Sequence, residues 1–315
     1  MSSTPHSVAI HSFNSNHAVY DEHRLSYSPK ITEKFLIDLK LTKVSEGSLK
    51  TDTNKKILEL ASGTGKFTES LTKYGWSDTL TVVEPSEGMI ETFQENFPHI
   101  EAKQGSSYDI PVPDNSYDAV IIAQGFHWFS DNMSLKEINR VLKPGGMFGC
   151  IWNFDAPSGA ITIAPADPEV EIIYDDTHKN VKAADVPQLV DSYFETHPWS
   201  VATANFTYSY DVNVPQYRHG KWRDALRKDK TYFRPISKEN FYLYTTTIKH
   251  DHVPRYWGTR SYITKLNAQE RAEYESKLSS LVDETVTESD KSIENDTAYL
   301  KKAVGTHTIV LEVNK

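Results

Sequence analysis

The stretch ILELASGTGKFTESL, running from Ile57 to Leu71, decides the fold. It opens on Ile57, Leu58 and Leu60, an apolar run suited to a buried strand, with a carboxylate, Glu59, near its end. Gly63 and Gly65 follow, and FTESL then reads as the start of a helix. A strand, a glycine turn and a helix N-terminus let a ligand approach backbone N–H groups closely. The dinucleotide fingerprint G-x-G-x-x-G uses its third glycine for close helix–strand packing, and here that position is Thr68. A carboxylate on the approach to the turn repels a pyrophosphate. It suits a cationic ligand, whose own carboxylate could still take the loop N–H groups.

Three more stretches extend the pattern. Strand Thr79 to Val83 ends at Glu84, where an acid in a Rossmann-like fold accepts hydrogen bonds from ribose hydroxyls. DAVIIAQGFHWF, Asp118 to Phe129, is a strand followed by a loop that faces the site. VLKPGGMFGCIWN, Val141 to Asn153, is a helix end, a Lys-Pro-Gly-Gly turn and another strand. In this order, over Lys55 to Asn153, the motifs resemble class I S-adenosylmethionine-dependent methyltransferases. The resemblance is to the type 11 branch, which contains ubiquinone-biosynthesis and trans-aconitate methyltransferases and small fungal methyltransferases.

The resemblance implies a Rossmann-like doubly wound α/β fold. Its sheet has seven strands, the last antiparallel and inserted beside strand six, under a helical-aromatic substrate cap. The implied cofactor is S-adenosylmethionine, held by Glu59, Ala61, Gly63, Thr64, Gly65, Glu84, Pro85, Ser86, Met89, Ser106, Ser107 and Gln124. Many relatives carry Asp at the position of Ser106 to hold the adenine amino group. Here a hydroxyl of Ser106 or Ser107, or a backbone group, must do so. The implied acceptor side uses Tyr20, Arg24, Tyr27, His127, Trp128, Trp257 and Arg260. Tyr20, Arg24 and Tyr27 resemble a Y-x-x-x-R-x-x-Y segment that folds over the cofactor as part of a lid.

Composition narrows the classes. The 315 residues are 38 % hydrophobic and 24 % charged, enough to bury a core. A net charge of −9 disfavours an extended nucleic-acid surface. One cysteine, Cys150, excludes an intrachain disulfide and fits a reducing compartment. No apolar run approaches the ~20 residues of a membrane span, and no apolar signal core opens the chain. A cytoplasmic protein, with nuclear entry open to it, is expected. It acts on a small-molecule methyl acceptor as a monomer or homodimer, without nucleic-acid or membrane partners.

Residues 1–16 are polar and read as a mobile N-terminus, and 17–315 as a single domain. Its core covers 55–153, a cap insertion about 155–235, and final core elements 241–315. Pro29 to Leu41 reads as an amphipathic helix, Val44 to Asn54 as a polar loop, and Phe67 to Lys73 as a helix stopped by Gly75. Short helices are expected at Val170 to Tyr174, Val186 to Phe194 and Trp222 to Arg227. Strands are expected at Phe241 to Ile248 and His307 to Val313, and a charged amphipathic helix at Ala268 to Val286.

Methyl transfer from a sulfonium releases a neutral leaving group, so positioning and dehydration supply most of the rate. One general base suffices if the acceptor atom must lose a proton. His127, just past strand four, is the candidate, and its alternative reading is a pocket-shaping residue. His250-x-His252 lacks a third ligand, so no metal is expected. Arg255 and Arg260 suit a carboxylate acceptor. Two alternatives stay open. A non-catalytic S-adenosylmethionine-binding regulator would share Glu59, Gly63, Gly65 and Glu84. An NAD-dependent Rossmann oxidoreductase is disfavoured by Thr68.

Overall fold

The computed structural model describes residues 24–162, 169–174, 177–211 and 214–315. The N-terminal segment 1–16 and Tyr20 lie outside them. Helix α1, Pro29–Asp38, starts with Pro29 in its first turn, as expected, and buries Ile31, Phe35 and Leu36. It packs tightly on the sheet. A Cβ at Gly149 would stand 2.6 Å from Phe35 Cζ and 2.8 Å from Leu39 Cδ2, so only glycine admits the helix there. The expected polar loop after it is instead a hairpin, β1 Thr42–Ser45 and β2 Ser48–Thr51. Its two-residue turn, Glu46 and Gly47, has φ of +54° and +72°, the paired left-handed conformation that matches strand twist.

The Rossmann half follows in order: β3 Ile57–Leu60, α2 Thr68–Lys73, β4 Leu80–Glu84, α3 Glu87–Asn96, β5 Glu101–Gln104, β6 Tyr117–Ala123, α4 Asn132–Val141 and β7 Leu142–Phe154. All four residues of β3 and all five of β4 are buried, so these strands are covered on both faces and show no alternation. The remaining elements are α5 Gly159–Thr162, β8 Glu169–Tyr174, β9 Thr177–Lys182, α6 Val186–Glu195, α7 Pro198–Tyr208, α8 Trp222–Lys228, β10 Lys238–Lys249, α9 Val253–Gly258, α10 Ala268–Thr285, β11 Lys291–Glu294 and β12 Thr297–Glu312.

Among the described residues the main sheet has ten strands, in the order β5-β4-β3-β6-β7-β12-β10-β8-β9, with β11 paired to β12. The first seven in that order are the expected doubly wound set. Strands β3 to β7 pair in parallel, and β12 runs antiparallel between β7 and β10. Three further strands, β8, β9 and β11, enlarge it. Val170 to Tyr174, expected as helix, lies in β8, parallel to β10. The run EVEII, Glu169 to Ile173, carries the period-2 alternation, with Val170 and Ile172 buried. The insertion after β7 therefore adds strands to the sheet as well as helices.

The strand order reverses beside β3, where β4 leaves to one side and β6 to the other. Open α/β sheets bind ligands at that switch point, at the carboxyl ends of the strands. The aromatic layer over that edge has its own core. Asn267 and Glu270 form a capping box that starts α10, whose Tyr274 hydrogen-bonds Thr207 of α7 at 2.9 Å and stacks on Phe206. Among the described residues no helix is long and apolar enough to cross a membrane.

Candidate functional site

The glycine turn after β3 is built from strained backbone. Ala61 has φ +58° although it is not glycine, and its N–H donates to Val83 O at 2.7 Å. Gly63 is also left-handed, and a Cβ there would stand 3.3 Å from Met89 Sδ. Gly65 serves packing instead. A Cβ on it would meet the Phe97 ring at 2.3 Å, so this glycine lets α3 close on the turn. Thr68, at the third-glycine position, donates its hydroxyl to Glu59 Oε2 at 2.6 Å. That bond joins helix to strand where the dinucleotide fingerprint uses bare glycine.

Glu59 itself does not face the site. It is fully buried beneath the turn, and burial pushes its carboxyl up to about 8, with the nearby Glu84 adding to the rise. Glu59 thus stands behind the turn, bonded to Thr68, rather than on the cleft wall. Glu84 ends β4 at the cleft wall. Its Oε2 accepts from Gly63 N–H at 3.0 Å and its Oε1 from Ser86 N–H at 2.9 Å. Burial raises this carboxyl to about 7, and the two backbone donations oppose the rise. Each oxygen keeps lone-pair capacity for a second donor.

An open cleft of about 950 Å³ crosses the ends of β3, β4, β5 and β6. Of the residues expected to hold the cofactor, Ala61, Gly63, Thr64, Glu84, Pro85, Met89, Ser106, Ser107 and Gln124 line it. Glu59, Gly65 and Ser86 do not. Ser86 instead caps α3, accepting from Met89 N–H. Tyr27, expected on the acceptor side, lines this cleft and packs edge-on against Phe67 at 5.1 Å.

Beside the cleft lies a second, polar cavity, about 720 Å³ counting the space open to solvent. The two share Gln124 and Trp128. Gln124 is another left-handed non-glycine residue, with φ +60°, and its Nε2 donates to Asn153 O at 3.1 Å. Asn153 in turn donates to Leu25 O at 3.2 Å, and Arg24 donates to Thr259 O at 3.2 Å, tying residues 24–28 across both cavities. Of the residues expected on the acceptor side, Arg24, His127, Trp128 and Arg260 line the polar cavity. Trp257 does not line it. It is buried beneath the Arg260 guanidinium, 4.8 Å from ring to cation. Arg255 is exposed and outside the cavity.

Sequence reasoning missed Ser158, Tyr208 and Arg218 on these walls, and Tyr262 lies within the segment Arg255 to Leu266 that the resemblance places at the pocket. The first three sit in the insertion, where no periodic motif marks them. Arg218 is held by Asp211, which also bonds His219 at 2.9 Å, and its guanidinium lies 4.5 Å over the Tyr208 ring. Arg260 is held by Asp155, which also takes Lys302 Nζ at 2.7 Å and the Tyr256 hydroxyl. Those cations keep Asp155 ionised well below the usual carboxylate range despite its burial. Arg218 Nη1, Ser158 Oγ and His127 Nδ1 on these walls are sealed and have no hydrogen-bond partner among the described residues. Burial lowers the His127 imidazole to about 3, helped by His219, Arg218 and Arg24.

The residues at the cleft fit S-adenosylmethionine. Glu84 offers an acceptor pair for two ribose hydroxyls, the left-handed turn at Gly63 leaves backbone open to a ligand, and Met89 offers an apolar face. Comparison with known proteins agrees. Residues 58–150 match the family model for a methyltransferase domain. An uncharacterised methyltransferase-like protein of Schizosaccharomyces pombe is 36 % identical over 151 residues, 46 % of this chain and 53 % of that protein. An uncharacterised methyltransferase of Mycobacterium tuberculosis is 34 % identical over 142 residues, 45 % of this chain and 52 % of that one. The chain thus spans about half the length of the curated relatives it matches. A solved structure from Anaeromyxobacter dehalogenans, described as a type II methyltransferase, covers 93 % of this chain and 97 % of its own, with TM-score 0.51 at 16 % identity, and shares the fold. Motif, strand order and family match converge on one region: residues 58–150 are similar to a methyltransferase domain, and the chain shares the fold of a solved methyltransferase structure.

Proposed function

We propose that this protein transfers the methyl group of S-adenosylmethionine to a small anionic acceptor, a carboxylate, where the two cavities meet. One observation carries this reading. The polar cavity that joins the cofactor cleft at Gln124 and Trp128 holds Arg218 and Arg260, with Arg218 Nη1 and Ser158 Oγ sealed from solvent and unpartnered. Buried donors without partners cost about 1–3 kcal/mol each, so such a site favours a ligand that supplies acceptors. Among the described residues, Arg218 pairs with Asp211, and Arg260 and Lys302 share Asp155.

The cofactor, when bound, supplies an electrophilic methyl group on a sulfonium. The protein's own residues do the remaining work. Glu84 and the glycine turn fix one end of the cofactor, and Gln124 and Trp128 frame the opening through which the acceptor approaches. Arg218 and Arg260 hold the acceptor anion, and residues 24–28 cover the junction and exclude water. A carboxylate acceptor is already ionised at neutral pH, so no general base is required. A neutral His127 then serves as a hydrogen-bonding wall rather than a proton acceptor. Transfer of tritium from S-adenosyl-[methyl-³H]methionine to a panel of small carboxylates, amines and phenols tests the reading. Carboxylates are expected to lead, with Arg218→Gln raising their KM at least about tenfold. Labelling confined to amines or phenols overturns the carboxylate, and labelling of nothing in a broad panel favours a binding protein over an enzyme.

A further inference from the structure

We infer that a buried chain of four side chains, Arg223, Glu239, His307 and Tyr217, positions the two wall segments that bring Ser158 and Arg218 to the polar cavity. The inference rests on the acceptor reading above, which takes those two groups to be the ones that meet the acceptor. All four residues of the chain are buried, and none lines the cofactor cleft. They are positioning residues, acting through Arg218 and Ser158.

The chain runs from one wall segment to the other. Arg223 Nε, on α8, donates at 3.1 Å to Ala160 O, in the segment that Ser158 opens. Arg223 Nη2 donates to Glu239 Oε1 on β10. His307 Nε2, on β12, lies 2.8 Å from the same oxygen, and its Nδ1 lies 2.9 Å from the Tyr217 hydroxyl. Tyr217 opens the short turn Tyr217–His219, so Arg218 is its next residue. The two segments also meet directly, since a Cβ on Gly159 would stand 3.0 Å from Arg218 O. The hydrogens follow. Burial would raise Glu239, but Arg223 and His307 hold its carboxyl at about 2, so it only accepts, and His307 Nε2 carries the hydrogen. Burial lowers the imidazole to about 4, so near neutral pH Nδ1 accepts from the Tyr217 hydroxyl. Each link has a donor and an acceptor.

Stability alone does not account for this arrangement. Replacing a buried ion pair by packed apolar groups is often neutral or stabilising. Here Arg223 Nη1 and Glu239 Oε2 have no hydrogen-bond partner among the described residues, which adds to the cost. What the chain supplies, and apolar packing does not, is direction. Tyr217 stacks on Trp222 and lies against Trp152, and such ring contacts allow sliding that a hydroxyl bond stops. The fixed end of that bond is in the sheet, because His307 stands opposite Trp152 of β7 and Phe241 of β10.

The test compares Tyr217→Phe, His307→Leu and His307→Gln with wild type. Glutamine has a donor and an acceptor, as the imidazole does, and leucine has neither. Kinetics use the panel carboxylate that takes most label. Tyr217→Phe and His307→Leu are expected to raise its KM at least about fivefold, with kcat and the dissociation constant of S-adenosylhomocysteine within about twofold of wild type. His307→Gln is expected to restore KM to within about twofold. On an Arg218→Gln background, Tyr217→Phe should add less than about twofold, since it acts through that arginine. Full additivity, an unchanged KM in folded Tyr217→Phe, or a joint loss of kcat and cofactor affinity overturns the inference. If no carboxylate is labelled, or Arg218→Gln leaves KM unchanged, the acceptor reading fails, and crystal structures decide the positioning role alone. There His307→Leu, or Tyr217→Phe if the former does not fold, should move the Arg218 guanidinium by more than about 1 Å with the β10–β12 register intact. An unmoved Arg218 overturns the inference.

Discussion

Replacing Glu84 by glutamine is the most informative single change at the cofactor cleft. The wild-type carboxylate is held on both oxygens, by Gly63 N–H at 3.0 Å and Ser86 N–H at 2.9 Å. Glutamine keeps the shape but turns one arm into an NH₂ group, which must face a backbone donor. The same change removes the charge that two ribose hydroxyls would bond. Hydrogen bonds to a charged group contribute about 1.5–3 kcal/mol against about 1 for neutral pairs. The expected net loss is about 1.5–3 kcal/mol, or roughly 10–150-fold in the dissociation constant of S-adenosylhomocysteine. Isothermal titration at pH 8 measures it with the wild-type group ionised, because burial raises Glu84 to about 7. Wild-type affinity should fall as the pH drops below that value, since the protonated acid accepts less well, and the variant should lose this dependence. A folded Glu84→Gln protein that binds within threefold of wild type would refute the ribose role.

Two further predictions follow from buried titratable groups. Glu59 has a folded value near 8 against 4.5 when exposed, so its contribution to stability is full below 4.5 and is lost as pH rises toward about 8. Urea unfolding of Glu59→Gln should show a pH 5-to-9 loss smaller than wild type by at least about 1 kcal/mol, and identical losses in the two proteins would contradict the assignment. His127 is depressed to about 3 and stays neutral across the working range, so it should contribute no acid limb to the rate profile. His127→Asn should raise the acceptor KM and leave the shape of the profile intact. A fall of about 10²–10⁴-fold in kcat, with loss of an acid limb, would instead mark it as the base.

The elements that repeat locally were the legible ones. Ile57 to Leu71 announced strand, turn and helix through apolar run and glycines, and Glu84 and Gln124 stand where the βα periodicity places them. Glu59 misled because sequence shows a carboxylate but not which side of the turn it occupies; Thr68 draws it inward. The β1–β2 hairpin hid behind a Glu-Gly turn, and β8 behind an alternation only five residues long. The walls of the polar cavity were the least legible. Arg218, Ser158 and Tyr208 come from separate parts of the insertion and meet Arg260 only through tertiary packing, which no local period encodes. Conversely, Trp257 and Arg260 are near neighbours in sequence, yet only the arginine reaches the cavity.

The central claim is a cofactor cleft made for S-adenosylmethionine, and competitive calorimetry tests it most directly. S-adenosylhomocysteine and NAD are titrated separately into the intact chain at pH 8, and then each in the presence of the other. The expected result is saturable 1:1 binding of S-adenosylhomocysteine at about micromolar or tighter, undisturbed by NAD at the same concentration. Binding of NAD more tightly than S-adenosylhomocysteine, or displacement of the latter by NAD, would contradict it.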